Sequence, residues 1–132
     1  MHERRKRLEF LYASKVYGDC DYDNQYFSWF RVRRLPLSPG QWNRPYTQLL
    51  IELDGFYPEL APQWFHLEEG LRDHLGRTPD HYYQGKGHSE KGWAWFCLHL
   101  DKGWHPAPRI EDGDNLVTVI ERIEMGLAHE LG

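Results

Sequence analysis

Long apolar runs are missing from this sequence: none approaches the roughly 20 residues that a membrane-spanning helix needs, so no such span is expected. Cysteine is scarce as well. Cys20 and Cys97 are the only two, too few for a disulfide framework. Neither belongs to a Cys-x-x-Cys pair, and no His-Glu-x-x-His is present, so no metal is expected. The start, "MHERRKRLEFLYAS", carries charge without a long apolar segment. That argues against export and for a reducing, cytoplasmic setting with free thiols. An excess of positive charge is also lacking. The formal net charge of -4 gives no general attraction to nucleic acid or to an anionic membrane. The run "RRKR", Arg4 to Arg7, is the exception, and its plainest reading is a solvated end within a basic segment 1–15.

What is present fits one folded domain, residues 1–132, with 40% hydrophobic residues and many aromatics. "ERRKRLEFLYAS" reads as a short basic helix with Leu8 and Leu11 on one side. "QYFSWFRVRRLPL" alternates in part and is rich in aromatic and β-branched residues, which predicts a strand ended by Pro36. Ser38, Pro39, Gly40 and Asn43 supply turn chemistry. A second strand is expected from Tyr46 to Leu53, stopped by Asp54-Gly55, and a short third from Trp64 to Leu67. The polar, glycine-bearing stretch 68–92 reads as a long loop. "WAWFCLHL" is dense enough in apolar residues to be buried, whether extended or coiled. Leu116, Ile120, Ile123, Leu127 and Leu131 recur at spacings of four, three, four and four, one face of a helix that Asp114 or Asn115 can cap. Strands first and a helix last predict an α+β domain: an antiparallel sheet of three to four strands with a C-terminal helix packed on it.

The chemistry concentrates around Cys97. A buried cysteine is often only a small hydrophobe. Here His88, His99 and His105 lie within eleven residues, and each can donate to or charge-stabilise a thiolate, the form that attacks acyl groups. Sulfur and imidazole ligands in "CLH" also admit a metal site, and a histidine such as His81 or His88 with Asn43 or Asp80 admits a cysteine hydrolase. Cys20 differs: Asp19 and Asp21 flank it and disfavour its thiolate.

The order of motifs decides among these readings. Tyr57-Pro58 with Pro62, then Cys97-Leu98-His99-Leu100, then Trp104-His105-Pro106, then "DNLVTVIERIEMGL" together resemble the ubiquitin-conjugating enzyme (UBC-like) family over about Tyr46 to Leu131. The short length and spacing look like its bacterial members, encoded with a ubiquitin-like protein, a ThiF-like activating enzyme and a JAB-type protease. The resemblance implies that Cys97 is the catalytic thiol, with Tyr57, Pro58, Pro62, Trp104 and Pro106 shaping the surrounding loops. His99 stands where the family usually has aspartate, and His99 and Asp101 are the nearest candidates for proton transfer. His88 falls near the histidine of the family's His-Pro-Asn element, but no asparagine follows it, which leaves His88, His99 or a backbone N–H as oxyanion donors. A long basic helix that docks the activating enzyme is reduced here to "RRKR". The implied function is to carry a ubiquitin-like modifier as a thioester, without a cofactor, and transfer it to an amine. The alternatives are an inactive binding module of the same fold and a cysteine or zinc hydrolase.

Overall fold

A computed structural model of the chain describes residues 2–77, 83–84, 93–97 and 103–129, with the side chains at 2, 83, 84, 95, 97 and 129 left undescribed. Helix α1 (His2–Tyr17) opens the chain. Gly18, at φ +81°, closes it by donating its N–H to the Ser14 carbonyl, a backbone conformation that suits glycine. Strands β1 (Cys20–Tyr22), β2 (Trp29–Pro36), β3 (Tyr46–Glu52) and β4 (Trp64–Glu68) follow. The short β5 (Tyr83–Gln84), β6 (Trp93–Cys97) and helix α2 (Leu116–His129) complete the order.

All six strands form one antiparallel sheet in the order β1-β2-β3-β4-β6-β5. The α+β class and antiparallel sheet are as expected, and the sheet is wider than three to four strands because β1 and β5 extend its edges. Both are too short to show a period in sequence, and pairing with β2 and β6 defines them. Alternation sorts the residues of each strand between two faces. Phe30 and Val32 on β2, Leu49 and Ile51 on β3, Phe65 and Leu67 on β4, and Ala94 and Phe96 on β6 are buried in one core. Phe65 and Phe96, partners in register, stack with ring centroids 5.2 Å apart. From α2, Leu116, Val119, Ile120, Ile123 and Leu127 join the same core, so the predicted stripe is the packed one. Leu131 lies outside the described residues.

Helix α1 turns a different side inward than its leucines suggest. Leu8 and Leu11 are 47% and 45% exposed, whereas Phe10 and Ala13 are buried beside Lys6 and Glu9. Phe10 meets Tyr22, Phe27 and Phe30 at centroid distances of 5.1, 5.8 and 5.2 Å. The basic run is divided: Arg4 and Arg7 are exposed, as in a solvated end, whereas Arg5 and Lys6 are engaged. Lys6 is only 6% exposed and donates to the Asp54 carbonyl at 2.8 Å, and Arg5 reaches the Ala107 carbonyl.

Candidate functional site

The site is built on the turn after β3. Asp54 stops the strand: its side chain accepts from the Phe56 N–H and its carbonyl from the Tyr57 N–H. Tyr57 then runs inward, with a cis bond to Pro58. The Tyr57 hydroxyl donates to the Glu9 carboxylate, which is fully buried. Burial first, and the negative charge of Glu9 second, push the phenol well above its ordinary range, so it stays a donor. Glu9 also pairs with Arg5 at 2.6 Å and accepts the Leu116 N–H at 2.7 Å. One carboxylate thus ties α1, the Tyr57 turn and the first residue of α2 together.

Trp104 joins the same turn from the far side of Cys97. Its indole N–H donates to the Pro58 carbonyl at 2.8 Å, and its ring centroid lies 6.1 Å from that of Tyr57. The resemblance's first and third motifs are therefore in contact. The loop beyond Trp104 is closed by a reciprocal pair: His105 N–H donates to the Asp114 side chain at 2.8 Å, and Asp114 N–H to the His105 carbonyl at 3.0 Å. Gly113 is pressed against this loop, since a Cβ there would stand 2.5 Å from the His105 carbonyl oxygen. Asn115, not Asp114, caps α2, accepting from the Val117 and Thr118 N–H groups at 2.8 and 3.3 Å.

Cys97 is the last residue of β6, opposite Trp64 in the register with β4. Pro58 and Pro62 are buried and Pro106 half-buried, so the prolines of both motifs belong to the packed structure. The side chain of Cys97 and the residues His88, His99 and Asp101 lie outside what is described, as do His81 and Asp80. Among the described residues no three histidine, cysteine, aspartate or glutamate side chains converge as a metal-binding group. Also among the described residues, no helix is long and apolar enough to cross a membrane.

The second cysteine is now accounted for. Burial raises the Cys20 thiol to about 11, with Asp19 and Asp21 adding to the shift and Arg33 opposing it. The flanking aspartates act in the expected direction, but burial is the larger cause.

Sequence reasoning missed Glu9, Glu52 and His66. The Arg5–Glu9 spacing of four was the only signal for the first. His66 is buried on β4 with its Nε2 2.7 Å from a Glu52 carboxylate oxygen. A cleft of about 260 Å³ opens beside this pair, bounded by Trp29, Glu52, Asp54, Leu60, Gln63 and Trp64 among others.

A six-stranded antiparallel sheet with a covering C-terminal helix, and a cysteine strand bracketed by the Tyr57–Pro58 turn and Trp104, define a UBC-like domain. The model of prokaryotic E2 family E matches residues 17–130, and the chain belongs to that family. Searches of the curated proteins and of the solved structures each return no significant match.

Proposed function

We propose that this E2-like protein carries a ubiquitin-like modifier as a thioester on Cys97 and passes it to an amine. The Cys97 sulfur attacks the carbonyl carbon of the modifier's C-terminal thioester on a ThiF-like activating enzyme. A new S–C bond forms, the old one breaks, and the activating enzyme's thiol is released. An acceptor amine then attacks the same carbon, forms an amide, loses its proton and frees the Cys97 thiol. No ATP is consumed at this step, because the thioester already holds the activation. His99 and Asp101 are assigned to move the amine's proton, and His88, His99 or a backbone N–H to hold the oxyanion. A JAB-type protease acting in the same pathway would remove the modifier again.

What supports this reading is the family match together with chain order: Cys97 ends β6 and falls in sequence between the Tyr57–Pro58 turn and Trp104, which bonds back to that turn. The test is incubation with a ThiF-like enzyme, its ubiquitin-like protein and ATP. A thiol-sensitive adduct on a non-reducing gel is the expected result. No adduct with a demonstrably charged activating enzyme would favour a binding module instead. In the charged protein, His99→Ala is expected to keep the thioester and slow discharge to lysine by roughly ten- to a hundredfold.

A further inference from the structure

Two cations of the basic run turn inward and hold backbone carbonyls. Lys6 donates to the Asp54 carbonyl at 2.8 Å, where the Tyr57 turn begins. Arg5 donates through one terminal nitrogen to the Ala107 and Pro108 carbonyls, in the loop after Trp104. The Arg5 Nε meets Glu9 at 2.6 Å, and the same carboxylate accepts from the Tyr57 hydroxyl. Residues 5, 6 and 9 of α1 therefore grip both of the loops that the Trp104–Pro58 bond joins.

The consequence falls on the residues between Cys97 and Trp104. Cys97 ends β6, where its backbone is paired opposite Trp64. The chain is next held at Trp104, by the Pro58 carbonyl, and at Ala107 and Pro108, by Arg5. The segment 98–102, which carries His99 and Asp101, joins these two anchors. Each residue spans at most about 3.5 Å, so a tether this short passes a shift of its far end on to the residues it bears. The Arg5 side chain is only 15% exposed, and its remaining terminal nitrogen is buried without an acceptor among the described residues. A buried donor left unmatched costs free energy, so Glu9 and the two carbonyls hold the guanidinium there, not its own solvation.

We infer that Arg5 is a positioning residue for the transfer step. Through the Trp104–Pro108 loop it fixes the far end of the segment that carries His99 and Asp101, the groups assigned to take the proton that the attacking amine loses. The inference rests on the thioester reading proposed above. The two steps of that reading differ in what they ask. Charging exchanges one thioester for another and needs the Cys97 thiol, whereas discharge must also remove a proton from the amine. Arg5 therefore serves discharge, and charging proceeds without it.

The test is Arg5→Lys in the full chain, which keeps the cation but loses the planar fork that spans Glu9 and the two carbonyls. In uncharged protein, hydrogen exchange should rise in peptides covering 103–109 and match the parent over β2 to β4, which separates local loosening from misfolding. With a ThiF-like enzyme, its ubiquitin-like protein and ATP, the variant should charge at the parent's rate and to the parent's level. Discharge at saturating lysine should then be roughly tenfold slower, with the half-saturating lysine concentration unchanged to within about twofold. In a His99→Ala, Asp101→Asn background the same substitution should slow discharge by less than about twofold further, because the groups it places are gone. A full tenfold effect in that background, discharge of Arg5→Lys at the parent rate, or unchanged exchange over 103–109 would overturn the inference and leave the thioester standing. A parent protein that never charges would overturn the thioester reading, and the transfer role of Arg5 with it.

Discussion

Tyr57 and Glu9 stand 48 positions apart in the chain, yet the phenol of one donates to the buried carboxylate of the other. That contact makes the motif tyrosine part of a junction between two helices and the site turn. Because Glu9 also holds Arg5 and the Leu116 N–H, losing it leaves three donors without their acceptor. Glu9→Ala is expected to destabilise the fold by about 3–5 kcal/mol, and Tyr57→Phe by about 1–2 kcal/mol. Urea denaturation of both variants checks this, and a Glu9→Ala protein as stable as the parent would refute the junction.

Trp104→Phe keeps an aromatic ring but loses the bond to the Pro58 carbonyl. The expected cost is about 1 kcal/mol, together with faster hydrogen exchange in the 103–115 loop. Exchange measured by mass spectrometry at peptide resolution is the readout. Unchanged protection would mean that Trp104 does not fasten that loop.

Gly113→Ala places a methyl group against the His105 carbonyl and the Ala107 backbone, at 2.5 and 2.7 Å. Backbone must move to admit it. A loss of about 1–3 kcal/mol and a changed Trp104 fluorescence are expected, whereas a neutral effect would show that the loop relaxes freely.

Cys20 gives a pH prediction. Its thiol is raised to about 11 by burial and by Asp19 and Asp21. A raised folded value means that this group favours the fold below the ordinary thiol range, and that the contribution is lost as pH climbs from about 9 through 11. In Cys97→Ser protein, where Cys20 is the only thiol, iodoacetamide labelling should stay slow at pH 8 and keep accelerating past pH 9. A rate that levels off near pH 9 would show an ordinary thiol.

Much of this was open to reading before any coordinates. Leu116, Ile120, Ile123 and Leu127 form a stripe free of charge, and the helix packs by it. The aromatic and β-branched residues of "QYFSWFRVRRLPL" and the stretch from Tyr46 to Leu53 likewise marked β2 and β3. Helix α1 hid its inner face because Lys6 and Glu9 lie on it, and their bonds to Asp54 and Tyr57 are tertiary. Leu8 and Leu11 share the exposed side. The motif residues Tyr57, Pro58 and Trp104 were identified by order alone, and the structure brings them into contact. The register that sets Trp64 opposite Cys97 depends on strand pairing, which no local pattern encodes.

The central claim is that Cys97, and not Cys20, holds the modifier. Intact-mass spectrometry of the charging reaction, run on the parent, Cys20→Ser and Cys97→Ser proteins, tests it most directly. The parent and Cys20→Ser should gain the modifier's mass less one water in a form released by reductant. Cys97→Ser should gain none, or only a slower reductant-stable oxyester, because a serine hydroxyl is a weaker nucleophile. A reductant-sensitive adduct of full yield on Cys97→Ser would contradict the account.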